Sequence, residues 1–100
     1  MQKRTSLMVA YDILQIATGG ATKTRLVYKG NLNFRLIKKW LARLISKKLI
    51  EYHPGPPKTW HTTPSGQTFI LAMEKVYGIW DDGLIRLDEM AQEIYSDDNR

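Results

Sequence analysis

Cationic side chains cluster in residues 34–48, which hold six lysines or arginines and no acid. Both residue types bind phosphate, and arginine also forms two parallel hydrogen bonds with guanine. Helical periodicity places Arg35, Lys38 and Lys39 on one side of a predicted helix, with Arg43 on its shoulder. A solvated helix face is the simpler interpretation, but no acid at the i+4 positions balances these charges. The pattern therefore favours a surface that binds a polyanion.

A second group of polar and cationic residues precedes this helix. Lys23 and Thr24 begin a short predicted helix, where free backbone N–H groups can bind phosphate. Arg25 and Lys29 fit phosphate contacts and ordinary solubility equally well. Lys58 is the one charge in a stiff loop, 54–58, and we expect it to support binding rather than to read bases.

Two histidines, His53 and His61, flank this loop and are candidates for facing each other across a hairpin. Two imidazoles can share a metal ion, but the sequence offers no third ligand, so we expect structural or surface roles and no metal. The chain lacks GxSxG, HExxH, P-loop and GxGxxG motifs. Glu89 and Glu93 share one helix face, which is more typical of a solvated surface than of an acid/base pair. We expect neither an enzyme nor a cofactor.

Charge is divided unevenly along the 100 residues. Residues 1–63 carry 12 Lys/Arg and two acids, a net charge of +10, whereas residues 64–100 carry three Lys/Arg and eight acids, a net charge of −5. The sequence contains no cysteine, so it has no disulfide framework or thiolate metal site. This usage fits an intracellular protein.

The elements that must position these residues follow from periodicity and from helix-ending residues. Residues 6–18 predict a largely buried helix rather than a signal peptide, because Tyr11, Asp12 and Gln15 interrupt the apolar run. Gly19 and Gly20 end it. The link 21–22 can form one strand bridge. Further helices are predicted over 23–29 and 34–48, a hairpin over 49–62, a helix from Thr63 onward and a last amphipathic stretch.

Specific residues are expected to mark where the second, third and fourth helices begin or end. Gly30 suits a left-handed residue after the second helix, and Asn33, or alternatively Asn31, suits the N-cap of the third. Thr63 and Pro64 suit the N-cap and first position of the fourth. The predicted core stripe of the third helix comprises Leu36, Ile37, Trp40, Leu41, Leu44 and Ile45.

The order of these elements predicts the fold class. A short helix, a tight turn and a longer basic helix form a helix-turn-helix, and the hairpin that follows makes it a winged helix. The chain is thus mainly α with a small β-hairpin wing and a C-terminal helical extension. Trp40 and Trp60 are expected to pack in the core rather than to stack on bases, and Trp80 is the best candidate for an interface.

At this level the chain resembles a family of small archaeal winged helix-turn-helix proteins, which includes chromatin-associated dimers and transcription regulators. Three features carry the resemblance: TKTRLVYKGNLNF, then LIKKWLARLISKKLIEY, then an aromatic-x-x-Thr motif with Gly66 three residues later. Relatives typically place Leu where this chain has Thr62. Several also carry one long final helix, whereas Gly78 and residues 81–83 predict that this one ends or bends.

No apolar run approaches the length of a membrane span, so we expect no membrane partner. The resemblance implies double-stranded DNA as the partner, no cofactor, a cytoplasmic and nucleoid-associated location, and a homodimer formed through C-terminal helices. Residues 1–63 would be the DNA-binding domain, and 64–100 an acidic dimerisation segment. In this fold the early residues of the third helix meet base edges, and the second helix crosses the backbone. The expected DNA contacts are Lys23, Thr24, Arg25, Lys29, Asn31, Asn33, Arg35, Lys38, Lys39, Arg43 and Lys58. The expected dimer interface comprises Met73, Tyr77, Trp80, Leu84, Leu87 and Met90.

Two other functions fit the same residues. A winged helix can be a protein-interaction module whose basic face meets an acidic partner. Attraction to phosphate also does not distinguish DNA from RNA.

Overall fold

Four helices and one two-stranded hairpin make up the part of the chain, residues 5–81, that this computed structural model describes. The elements follow the order α1 (Ser6–Ala17), α2 (Lys23–Gly30), α3 (Phe34–Ser46), β1 (Ile50–His53), β2 (Thr59–Thr62) and α4 (Pro64–Asp81). This order confirms the predicted winged-helix fold class. The chain divides into two units, Met1–Ile70 and Leu71–Arg100. The predicted division between residues 63 and 64 stays a prediction.

Each of the four helices begins at a polar cap. The side-chain oxygens of these caps accept hydrogen bonds from backbone N–H groups three residues later, which would otherwise lack partners. The predicted caps Asn33 and Thr63 are both confirmed. The four bonds are Met8 to Thr5 (3.1 Å), Arg25 to Thr22 (3.2 Å), Leu36 to Asn33 (2.8 Å) and Gly66 to Thr63 (3.1 Å).

The turn between α2 and α3 differs by one residue from the prediction. Gly30 is still helical and buried, and Asn31 takes the left-handed conformation instead, with φ 54° and ψ 50°. Asparagine tolerates this region better than other residues with a Cβ atom. The next N–H group, that of Leu32, donates to the Val27 carbonyl at 3.0 Å and closes the end of α2.

The core is built from one face of each helix in the first unit and from the hairpin. Its most completely buried side chains are Ile13, Leu14, Leu26, Ile37, Leu44 and Ile50. The predicted stripe on α3 was too wide, because Leu36 and Ile45 are each 40% exposed and Trp40 is half-buried. Successive residues turn by about 100° around a helix. Leu36 and Ile45 therefore lie on opposite flanks of the buried line of Ile37, Leu41 and Leu44.

The hairpin is antiparallel and is joined to the chain before α2. Glu51 pairs with His61, and Tyr52 pairs with Trp60. Ala21 forms the single bridge that was predicted for the link 21–22, and the structure identifies Trp60 as its partner. The Ala21 N–H donates to the Trp60 carbonyl at 3.0 Å, and the Trp60 N–H donates to the Ala21 carbonyl at 2.8 Å. Trp60 is 8% exposed, which confirms that it covers the core from the hairpin.

The junction of β2 and α4 ties three elements together. The Thr62 hydroxyl donates to the Leu14 carbonyl in α1 at 2.6 Å. Thr62, which stands where relatives typically have Leu, therefore has a structural role. The Thr63 hydroxyl donates to the Lys48 carbonyl, just after α3, at 2.7 Å. Gly66 approaches so closely that a Cβ atom there would overlap the Leu49 carbonyl oxygen. These contacts fix the C-terminal end of α3.

α4 continues through Gly78 to Asp81, so this glycine does not end the helix. Residues 82 and 83, also expected to end or bend it, lie outside the described residues. No helix in residues 5–81 is both long and apolar enough to cross a membrane.

Candidate nucleic-acid interface

The outer face of α3 is the largest concentration of cationic side chains in the described chain. Arg35, Lys38, Lys39 and Arg43 are all exposed there. At about 100° per residue, Arg35 and Lys39 lie near the centre of this face, opposite the buried line, while Lys38 and Arg43 lie at its two edges. The structure thus places the four predicted residues on one accessible surface.

These cations have few partners of their own. Among residues 5–81, no ion pair or hydrogen bond engages the side chains of Arg35, Lys38 or Lys39. Arg43 differs, because its Cζ lies 5.6 Å from the centroid of the Trp40 ring in a cation–π contact. The charge on this face is therefore uncompensated within the described chain, and it is available to an anionic ligand.

The packing of α3 fixes the direction of this face. Ile37, Leu41 and Leu44 are at most 4% exposed, so the opposite side of the helix is held against the core. The Asn33 cap holds the first turn, and the Lys47 N–H donates to the Arg43 carbonyl at 3.1 Å at the last turn. The helix therefore presents its cations on a rigid support.

The predicted residues of α2 separate into two kinds. Thr24, Arg25 and Lys29 are exposed and accessible to a ligand. Lys23 is half-buried, and its Nζ lies 5.6 Å from the centroid of the Trp60 ring. The body of Lys23 therefore packs against the hairpin, which restricts how far its ammonium group reaches.

The two asparagines of the turn between α2 and α3 are exposed, and both also stabilise that turn. Asn31 supplies the left-handed residue after α2. The Asn33 Oδ1 already accepts the Leu36 N–H, so its amide nitrogen is the atom left for a ligand. The sequence predicted Asn33 as the N-cap of α3. It did not predict Asn31 as the left-handed residue, because that depends on the exact residue at which α2 ends.

The loop of the hairpin is exposed along its whole length, from Pro54 to Lys58. Gly55 has a φ of 57°, and a Cβ atom there would overlap the Pro57 carbonyl oxygen. The loop is therefore a tightly folded tip that carries the exposed Lys58.

His53 and His61 lie on one face of the hairpin with stacked rings, whose centroids are 3.8 Å apart. Their Nε2 atoms engage different neighbours, because the His53 Nε2 lies 3.1 Å from Glu51 Oε2 and the His61 Nε2 lies 2.9 Å from Thr59 Oγ1. Each bond runs along its own strand, and the two strands are antiparallel. The ring nitrogens therefore do not converge on one point, and residues 5–81 hold no group of three metal-ligating side chains.

Sequence reasoning missed the apolar part of this surface. Phe34 is 54% exposed, Leu36 is 40% exposed, and Tyr28 on α2 is 77% exposed. Leu36 also lines a groove of about 200 Å³ with Lys39, Trp40 and Arg43. The position of Phe34 at the first residue of α3 was the available signal, since a side chain in the first turn has fewer helical neighbours to cover it.

The predicted dimer residues lie mostly beyond what the structure describes. Met73 is 6% exposed and Tyr77 is half-buried, while Leu71 on the same helix is 65% exposed. The Trp80 side chain and the residues Leu84, Leu87 and Met90 lie outside the described part. The interface stays a prediction.

Comparisons with known proteins agree with this geometry. The model of a family described as winged helix-turn-helix matches residues 3–79. Sso10a-2, a DNA-binding protein from Sulfolobus solfataricus, has a similar structure, with a TM-score of 0.72 and 19% identity over 97% of this chain and 98% of that one. A search of curated protein sequences gave no significant match.

Two bacterial proteins have the same fold in part. The reduced form of MarR from E. coli gives a TM-score of 0.62 and 19% identity over 93% of this chain and 73% of that one. BpsR of Bordetella bronchiseptica, whose DNA binding is regulated by 6-hydroxynicotinic acid, gives a TM-score of 0.62 and 16% identity over 93% and 76% of the two chains. At such identities the likeness concerns the fold.

Proposed function

The chain belongs to the winged helix-turn-helix family, and on that premise we propose that it binds double-stranded DNA through the outer face of α3. One observation carries this proposal: Arg35, Lys38 and Lys39 are exposed on a rigid helix and have no partner among residues 5–81. A major groove admits an α-helix, and its rims are lined by phosphates. The cationic face of α3 complements both the shape and the charge of that groove.

The position of each cationic residue along α3 determines whether it contacts bases or phosphates. Arg35 lies in the first turn, where side chains of such helices meet base edges, and its guanidinium can form two bonds with guanine. Lys38 and Lys39 follow and supply point charges to phosphate or guanine. Arg43 lies two turns further along, so it contacts the backbone on the rim of the groove.

Phosphate contacts from α2 and the wing complete the interface. Thr24, Arg25 and Lys29 contact the backbone that α2 crosses, and Lys58 reaches a phosphate or the minor groove from the wing tip. Lys23 gives a weaker contact because it packs on Trp60. Asn31 and Asn33 add neutral hydrogen-bond donors at the turn.

The biological role that fits these residues is that of a transcription regulator or a chromatin-associated protein in the nucleoid. The structural likeness to Sso10a-2, which is described as DNA-binding, and to MarR and BpsR supports this role. We further propose a homodimer, assembled through Met73, Tyr77, Trp80, Leu84, Leu87 and Met90. Two copies of α3 would then bind two successive turns of one duplex.

Fluorescence anisotropy with a labelled random-sequence duplex tests this function. If a dimer neutralises six to eight phosphates, the logarithm of the binding constant falls against the logarithm of salt concentration with a slope of about −5 to −7. A matched RNA duplex is titrated beside it. Tighter binding of the RNA duplex would favour an RNA-binding role, and absent or equally weak binding of both duplexes would favour a protein-interaction module.

A further inference from the structure

Two large apolar side chains flank the arginine at the start of α3. Phe34 is 54% exposed and Leu36 is 40% exposed, and neither belongs to the core cluster. Contacts to phosphate gain nothing from such side chains. The first turn therefore carries apolar surface in the place where this fold meets base edges.

The major groove offers one apolar group to such a surface, the C5-methyl of thymine. We propose that Phe34 and Leu36 contact thymine methyl groups and make the protein favour thymine-containing sites. This inference rests on the proposed function, because it needs α3 to lie in the groove. It adds two specificity-determining residues to the exposed cations of α3.

The local geometry supports two separate contacts. Asn33 caps the first turn by accepting the Leu36 N–H at 2.8 Å, so the backbone of this turn is held in place. At about 100° per residue, Phe34 and Leu36 point to opposite sides of Arg35. The methyl groups would therefore lie on either side of the base pair that Arg35 addresses.

The charge around these side chains identifies the occupant of this surface. Arg35, Lys38 and Lys39 lie next to them and have no anionic partner among residues 5–81. An apolar protein surface docked here would bury those charges without compensation, which is costly. A duplex supplies phosphate and methyl groups together.

Removal of the methyl group tests the inference directly. Two alternating duplexes are compared by anisotropy, one of adenine and thymine and one in which uracil replaces every thymine. We expect the wild type to bind the uracil duplex about 4-fold more weakly for each methyl group that the complex buries, and so about 15-fold more weakly for the two contacts of one copy of α3. The double variant Phe34→Ala with Leu36→Ala should bind both duplexes equally. Leu71→Ala removes an exposed leucine outside α3 and should keep the discrimination.

Each other outcome overturns the inference in a different way. Equal wild-type affinity for both duplexes would refute thymine contacts and leave DNA binding intact. Discrimination that persists in the double variant would refute the assignment to Phe34 and Leu36. A changed oligomeric state of that variant in sedimentation would assign both side chains to an interface between copies. Failure of the wild type to bind any duplex would remove the proposed function and this inference with it.

Discussion

Single side chains on α3 have separable roles, because those that hold the helix are not those that face the solvent. Ile37 and Leu44 are at most 2% exposed, whereas Lys38 and Lys39, which lie between them in the sequence, are exposed. Substitution of an exposed side chain with no structural partner usually changes stability little. Loss of binding in such a variant therefore reports the contact itself.

We expect the double variant Lys38→Ala with Lys39→Ala to bind DNA much more weakly and to keep its fold. If both lysines contact phosphate in each copy, a dimer loses four phosphate contacts and its salt slope should become less negative by about 3.6 units. Anisotropy across salt concentrations measures the slope, and circular dichroism checks the fold. Lys47→Ala with Lys75→Ala removes the same charge from exposed positions away from the start of α3, and it serves as the control. Unchanged affinity in a folded Lys38/Lys39 variant would remove both lysines from the interface.

Residue-level prediction from sequence succeeded for the caps and for the cationic face, and it failed for burial at the edges of α3. Asn33 and Thr63 were identifiable because capping is a local effect between residues three apart in the chain. Leu36 and Ile45 were expected to be buried, but periodicity gives only the direction of an apolar face. Its width depends on how much neighbouring structure covers it, which is a tertiary property.

Among the elements, the β2–α4 junction controls how α3 is held. Thr62, Thr63 and Gly66 link β2 and the start of α4 to α1 and to the end of α3. The sequence predicted that Thr63 begins a helix. It did not predict that the Thr63 hydroxyl reaches the Lys48 carbonyl, because a contact between residues 15 apart produces no periodic pattern in the sequence. A single strand bridge was predicted for the link 21–22, but its partner Trp60 was not, because the two residues lie far apart in the chain.

Gly66→Ala should destabilise the protein, although alanine is the better helix former. The added Cβ would overlap the Leu49 carbonyl oxygen, and a backbone atom cannot move aside as a flexible side chain can. We expect a loss of about 1–3 kcal/mol in the free energy of unfolding, as for other overpacked sites. Urea unfolding measures it. The exposed neighbour Ser65→Ala should change stability by less than about 0.5 kcal/mol, and a Gly66 variant as stable as the wild type would contradict the close approach.

At the scale of the whole molecule, charge is segregated along the chain. Residues 1–63 carry a net charge of +10 and residues 64–100 carry −5. A field of one sign around the winged helix raises the rate of encounter with DNA and makes that rate depend on salt. In a dimer, binding of one copy of α3 also raises the effective concentration of the second near the duplex.

We expect the wild type to sediment as a dimer and Trp80→Ala to weaken that dimer. Buried tryptophans are among the strongest interface residues, and a loss of about 2 kcal/mol would raise the dissociation constant about 30-fold. Sedimentation across protein concentrations measures it. Tyr28→Ala also removes an aromatic ring, from a position 77% exposed on α2, and it should leave the dimer unchanged. A monomeric wild type would contradict the proposed assembly.

The separation of buried and exposed residues on α3 has an evolutionary consequence. Ile37, Leu41 and Leu44 are buried and hold this helix on the core, while Arg35 and Lys39 face outward. Mutations on the outer face should therefore affect folding little. On the proposed function, an exchange of a few outward-facing side chains would change the target site while the scaffold that holds them is inherited unchanged.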